Sequence, residues 1–347
     1  MAAHIVVRSA RAPISFRIGV ASLATLTVAV AGVLAFMAIG IGSGDYPLSP
    51  LQVLTAIVGG GDDASRYVVW ELRLPRLLSA VLVGASMAVS GAILQSLARN
   101  PLVAPDIIGI NGGAALAAVT VIMLGGPDGW VPVAGLLGGL GAAAVVYLLA
   151  WEGGIGRYRL VLVGIGVGAV AEAGIGFLLT RGQVTDVQEA TIWLIGSLAN
   201  AGWGDVQLLG PVLAVVLPVT FLLARSLTTL QLGDDAAAGL GVPLERSRLL
   251  LVGIGVTLAS FAVTVGGPIA FVAFIAPHLA RRLARVSGSG LIPAAAAIGA
   301  LLLLASDIVA RRLFDPADLP VGIVTAILGA PYFLWLLVRA NRLGAGV

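Results

Sequence analysis

Two stretches without a single Asp, Glu, Lys or Arg decide what this chain can be: residues 18–41 and 249–280. About 20 apolar residues in a helix cross the roughly 30 Å of hydrocarbon in a bilayer. The first run suffices for one crossing and is too long for the apolar core of a cleaved secretory signal. With Arg8, Arg11 and Arg17 before it, it reads as a retained span whose N-terminus is cytoplasmic. The second run exceeds one crossing and falls short of two, and Gly266-Gly267-Pro268 stands inside it, so it is read as two short spans broken there. Further apolar runs at 77–97, 107–124, 131–151, 160–180, 206–224, 291–305 and 321–338 bring the expectation to ten transmembrane helices in an all-α polytopic membrane protein.

Composition agrees. Charged residues make up 11% of the 347, against about 25% in an ordinary soluble domain, and mean hydropathy is +1.05. Forty-seven glycines suit helices whose backbones approach closely in lipid. There is no cysteine, which removes disulfides and Cys-ligated metal or iron–sulfur sites. There is no lysine either, so all 20 basic residues are arginine. That removes a Walker A phosphate loop and Schiff-base chemistry; if ATP drives this chain, another chain hydrolyses it. His4 and His278 are too far apart for a local metal motif, and His278, after Pro277, reads as a hydrogen bonder at a helix end. No cofactor and no nucleic-acid partner is implied. Trp70, Trp130, Trp151, Trp193, Trp203 and Trp335 fall near span ends, as an aromatic belt does.

Ten spans place both termini on one side, and arginine tests the layout. Arg8, Arg11, Arg17, Arg99, Arg157, Arg159, Arg225, Arg246, Arg248, Arg281, Arg282, Arg285, Arg339 and Arg342 fall on the side assigned to the cytoplasm. Arg66, Arg73, Arg76, Arg181, Arg311 and Arg312 fall on the other, in accord with the positive-inside rule. A single span over 249–280 would reverse the later helices and expel Arg281, Arg282 and Arg285. Ten spans divide into five plus five, and an odd number per half makes any internal repeat an inverted one. A faint echo exists between Arg76-Leu77-Leu78 leading to Gly84 and Arg248-Leu249-Leu250 leading to Gly253.

Polar stretches carry the remaining information. Residues 43–75 form the largest loop, outside in this layout, and 181–205 reads as a loop with a surface helix. Glu172 is a carboxylate well inside a span, where an ionised group costs on the order of 3 kcal/mol and must face the bundle or a water path. A pathway-lining role and a structural hydrogen bond both fit it. Residues 225–248 form a cytoplasmic segment around the polar island Leu230-Gln231-Leu232-Gly233-Asp234-Asp235-Ala236-Ala237-Ala238-Gly239-Leu240-Gly241-Val242-Pro243. Small residues and a glycine turn there suit a compact knob that a partner can push.

Within that island, Asp235-Ala236-Ala237 with Gly241 resembles the acidic-Ala-Ala-Gly motif by which membrane subunits of bacterial ABC importers dock on their ATPases. Leu72-Arg73-Leu74-Pro75-Arg76, Arg99-Asn100-Pro101-Leu102 with Pro105, Gly267-Pro268-Ile269 to Ala276-Pro277-His278, and Leu319-Pro320-Val321-Gly322 to Gly329-Ala330-Pro331 are similar to motifs of the FecCD family. Its members are permeases for iron-siderophores, haem and vitamin B12. The likeness runs from about residue 20 to the C-terminus and is greatest to second membrane subunits of ferric-enterobactin-type importers.

The resemblance implies a type II ABC importer fold, with residues 1–347 as one transmembrane permease domain in the bacterial cytoplasmic (inner) membrane. It implies ATP-binding cassette ATPase subunits, a second homologous permease subunit in a hetero- or homodimer, with the likeness to second subunits pointing to a heterodimer, and an extracytoplasmic siderophore-binding protein as partners, besides membrane lipid. Leu232, Gly233, Asp234, Asp235, Ala236, Ala237 and Gly241 are then the ATPase-coupling residues. Arg73, Arg76 and Arg311 are the binding-protein docking residues, and Glu172 and Arg157 the pathway candidates. Gly156-Arg157-Tyr158 falls where relatives place a cytoplasmic gate, without their small hydroxyl residues. Such a chain performs no chemistry of its own. The rival reading is a proton-coupled secondary transporter in which Glu172 carries the proton.

Overall fold

The structure, a computed structural model, describes residues 4–8, 15–44, 46–127, 129–151, 157–285, 290–313 and 318–344. A two-stranded hairpin precedes the helices: β1 (His4–Arg8) pairs antiparallel with β2 (Ser15–Gly19). The helical part then follows the expected order, beginning with α1 (Val20–Gly42).

The expected outer loop over 43–75 is largely helical. Ser49 and Gln52 form a reciprocal cap at the start of α2 (Pro50–Ile57), the Gln52 Oε1 accepting from the Ser49 N–H at 2.8 Å. The Asp62 carboxylate caps α3 (Asp63–Tyr67) by accepting from the Ser65 N–H at 3.0 Å. A π-helical turn, Val68–Arg73, leads without interruption into α4 (Leu74–Ala98). Pro75 explains it: proline offers no N–H and its ring crowds the carbonyl four residues back. The Leu74 N–H accordingly reaches back to the Val69 carbonyl.

The remaining helices are α5 (Ile110–Met123), α6 (Trp130–Ala150), α7 (Arg157–Leu179), α8 (Val184–Ile195), α9 (Trp203–Gln231), α10 (Asp234–Gly239), α11 (Leu244–Gly266), α12 (Val272–Ala284), α13 (Leu291–Arg312) and α14 (Val321–Gly344). Among the described residues, eight helices are long and apolar enough to cross a membrane, and α5 is a shorter apolar one. With α12 in the place of the eighth expected span, the ten-span reading has its counterparts. The uncharged run 249–280 breaks where glycine and proline predict, at Gly267 (φ +71) and Pro268. The two pieces are unequal, because α11 starts as early as Leu244 while α12 has 13 residues. Around the break the Ser197 N–H meets the Gly266 carbonyl at 2.9 Å and the Gly322 N–H meets that of Gly196 at 3.1 Å. Three distant segments are thereby tied at one level.

α4 is the hub. In its apolar stretch 83% of residues are buried, against 17% in α1. Its Leu77, Val83 and Met87 share one core with Ala262 and Val263 of α11 and Leu303 and Leu304 of α13. Its Ala88, Val89 and Ile93 share a second with Leu227 of α9, Leu251 of α11 and Ile292 of α13. Lipid supplies no hydrophobic drive for helices to associate, so close backbone approach must do it. Gly84 of α4 and Gly299 of α13 face one another such that a Cβ on either would collide with the other's carbonyl oxygen.

Candidate functional site

α4 carries an arginine near each end, and the chemistry gathers around both. At its first turn, Arg76 donates from Nε and Nη2 to Oδ1 of Asp307 at 3.2 and 3.0 Å, and from Nη1 to Oδ2 of Asp318 at 3.0 Å. Arg311, one helical turn after Asp307 on α13, brings its Nε to 3.3 Å from Asp307 Oδ2. Asp307 is fully buried, so this is a desolvated carboxylate held between two guanidinium groups. Arg73 is also buried; it donates to the carbonyls of Ile41 and Tyr46, both at 2.6 Å, and so ties the end of α1 to the π-helical turn. The three arginines singled out for docking thus line one cleft of about 470 Å³, together with Glu71, Arg312 and Asp318. Arg73 and Arg76 are held by partners within the chain, whereas Arg312 is exposed.

Asp307 and Asp318 were not expected from sequence. The apolar run 291–305 stops short of Asp307, since a carboxylate normally ends a span. The signal was its i,i+4 spacing to Arg311; the charge compensation lets α13 run on to Arg312.

Near the other end of α4, Arg99 takes the left-handed conformation (φ +51) and closes the helix. Its guanidinium donates to the Leu230 carbonyl at the end of α9, from Nε at 3.1 Å and also from Nη2, and lies 3.6 Å from Asp234. Arg248 of α11 reaches the same Asp234 oxygen at 2.7 Å. These bonds fasten α10 to the hub. The helix itself ends through Gly241 (φ +79): the Val242 N–H reaches the Ala237 carbonyl at 3.0 Å and the Gly241 N–H that of Ala238 at 2.9 Å. That six-to-one and five-to-two pair needs a left-handed residue at Gly241, which glycine supplies without steric penalty. Ala237 is buried beneath, while Asp235, Ala236 and Gly241 are exposed and the Leu232 and Leu240 side chains stand out at 67% exposure each. Of the expected coupling residues, Gly233 and Asp234 shape and hold this knob and the others form its surface or its floor. α9 and α11 extend further into 225–248 than expected, leaving 232–243 as the projection.

Glu172 stands exposed on α7 beside a cleft of about 470 Å³ that also touches Asp106, Asn111, Gly168 and Pro268. The Asn111 amide donates to Asp106 at 2.5 Å. Arg157 opens α7, but its side chain and residues 152–156 lie outside the described residues, as does Gly156 of the expected gate. Fifteen residues of helix separate it from Glu172, about 22 Å, so the two pathway candidates belong to different levels of the chain. Two expected belt residues have a more specific part: Trp203 donates to the Trp70 carbonyl at 2.8 Å, and their rings stack at 5.9 Å.

Comparison with known proteins adds an independent line. The sequence model of the FecCD transport family matches residues 32–339. The achromobactin transport system permease protein of Dickeya dadantii is 41% identical over 94% of this chain and 95% of its own length. The ferric enterobactin transport system permease protein of Escherichia coli is 42% identical over 87% of this chain and 92% of its own. Among solved structures, an inward-facing metal-chelate type ABC transporter superposes with a TM-score of 0.83 at 30% identity, over 91% of this chain and 99% of that one.

Proposed function

The chain belongs to the FecCD transport family, and we propose that it is the membrane-spanning permease subunit of an ABC importer that carries a ferric siderophore across the bacterial inner membrane, its termini cytoplasmic. Relatives at about 40% identity over most of their length are transport permeases named for siderophores, among them achromobactin and ferric enterobactin. One observation carries the assignment of roles: the exposed α10 knob is fixed by Asp234 to Arg99 and Arg248, at the opposite end of the hub helix from the arginine cleft.

On this reading an ATPase subunit receives the knob through Leu232, Asp235, Ala236, Leu240 and Gly241. A siderophore-binding protein docks over the arginine cleft, where Arg311 and Arg312 offer charge and Arg73 and Arg76 fix the frame beneath. Rim charges of this kind steer encounter and set register more than they add affinity. A second permease subunit completes the channel, and Glu172 on exposed α7 faces the path between them. ATP hydrolysis happens in the partner; this chain supplies the moving walls.

The test is uptake of iron-55-labelled siderophore into proteoliposomes containing this chain, its copurified ATPase and its membrane partner, with the binding protein outside. ATP-dependent accumulation is expected, lost when the ATPase is omitted and insensitive to a protonophore. Accumulation driven by a proton gradient without ATPase would overturn the proposal in favour of a secondary transporter.

A further inference from the structure

A cleft of about 640 Å³ beside the Arg99 end of α4 is used by none of the roles above. Its walls are the Pro101-Leu102 turn, the last turns of α12 with His278, Arg281 and Arg282, and α14 with Trp335 and Arg339. Two guanidinium groups converge on one ring: the Cζ of Arg282 lies 5.1 Å and that of Arg339 5.3 Å from the centroid of Trp335. The two charges therefore stand within about a Debye length of each other. Trp335 stacks on Tyr332 at 5.8 Å, which in turn meets His278 edge-on at 5.8 Å, so the platform is braced. Arg281 is held from behind by Gln95, to which it donates at 2.6 Å, while Gln95 donates onward to the Ala273 and Phe274 carbonyls.

Among the described residues, Arg281, Arg282 and Arg339 form no ion pair with a carboxylate. Elsewhere in this chain Arg76, Arg248 and Arg311 each have one. Three cations against an apolar wall repel one another unless an anion joins them, and a ring face engages the guanidinium while its N–H edges remain free to donate. The space is much larger than a bare phosphate needs, and Leu102, Trp335 and Leu336 give it an apolar floor. A group with a charged phosphate at one end and hydrocarbon at the other matches both halves. We propose that this cleft binds the headgroup and upper acyl chains of an anionic phospholipid, its phosphodiester on Arg282 and Arg339 with Arg281 adjacent. Basic pockets between membrane helices serve such headgroups in general, and tryptophan and tyrosine favour the same interfacial depth.

The site is separate from the knob and the rim cleft, so its failure leaves the transport assignment standing. The experiment is native mass spectrometry of the purified full chain in neutral detergent, titrated with phosphatidylglycerol, phosphatidylcholine or inorganic phosphate. Phosphatidylglycerol is expected to bind at least about tenfold more tightly than phosphatidylcholine, and inorganic phosphate is expected not to displace it. Arg282→Gln with Arg339→Gln should weaken phosphatidylglycerol about tenfold or more and leave phosphatidylcholine unchanged. Arg285→Gln, which alters an exposed charge on the same helix end outside the cleft, should change it less than about twofold. If the double variant does not fold, Trp335→Leu should show the same selective loss. Unchanged affinity in the folded variant, an equal loss in Arg285→Gln, displacement by inorganic phosphate, or expulsion of the lipid when the second permease subunit assembles would each overturn the proposal. The last result would assign the cleft to a subunit interface.

Discussion

Arg248 at the start of α11 lies 2.7 Å from Asp234 at the start of α10, and through it the knob is joined to a helix that packs on the hub. The pair is partly open to water, with Asp234 at 41% side-chain exposure, so its direct contribution to stability is about 1 kcal/mol or less. Asp234→Asn should therefore leave the thermal midpoint in detergent nearly unchanged. Uptake, by contrast, should fall severalfold because the knob no longer moves as one piece with α4 and α11. Asp234→Glu, which keeps a carboxylate between Arg99 and Arg248, should restore part of it; equal uptake by wild type and Asp234→Asn would show that this bond carries no coupling.

Gly241 should tolerate little. A β-branched side chain in the left-handed conformation costs about 1–2 kcal/mol, and the helix end would re-form otherwise. Gly241→Val is expected to insert into the membrane and copurify with its permease partner while losing ATP-dependent uptake, and Gly241→Asn should retain more than Gly241→Val. Transport assays paired with quantification of the membrane-inserted protein separate the two effects.

Asp307→Leu should be among the most destabilising single changes at the rim. It leaves Arg76 buried with only the half-exposed Asp318 as acidic partner, and breaking a buried pair costs about 3–5 kcal/mol. Arg312→Ala, on an exposed side chain, should leave the midpoint unchanged and slow association of the binding protein, increasingly so at low salt. Thermal melting and stopped-flow association measure the two.

Gly84→Val should disrupt α4 against α13, since its new Cβ alone would collide with the Gly299 carbonyl oxygen and lie 2.9 Å from Leu303 Cβ. Overpacking typically costs about 1–3 kcal/mol, and backbone on the far side cannot yield like a side chain. A lowered detergent melting point and poor membrane yield are expected, more pronounced than for Gly253→Val, where nothing stands within 4 Å.

Glu172→Gln distinguishes coupling schemes. With partner ATPases as the motor, uptake should stay within about twofold of wild type at pH 6 and pH 8, since ATP-driven movement needs no proton carried by the exposed Glu172. Abolished uptake with intact ATPase stimulation would make Glu172 a substrate contact.

Much of this is legible in the sequence. Uncharged runs marked the long helices because the bilayer tolerates few charges, and Gly267-Pro268 marked the break between α11 and α12 because both residues resist helix continuation. What sequence concealed were charges neutralised at a distance. Asp307 looked like a loop residue because its partner Arg76 lies far away in the chain, and Arg73 and Arg76 looked available because nothing local shows the Ile41 and Tyr46 carbonyls or the Asp318 carboxylate that hold them. The knob was visible as a polar island, but its attachment to Arg99 depends on folding α4 against α9. The basic cleft around Trp335 was hidden for the same reason, its arginines reading singly as side chains at helix ends.

Arg76 and Arg99 stand at the two ends of one uninterrupted helix. Twenty-three residues of helix separate them, about 35 Å, and a rod of that length rocked through about 10° about one tip sweeps the other through about 6 Å. Whatever free energy an occupant of one tip spends in rocking it is, by linkage, returned as altered affinity at the other. If the proposed docking and coupling roles hold, the rod is a two-way lever, and a delivered cargo should register at the motor as plainly as the motor's stroke registers at the cargo.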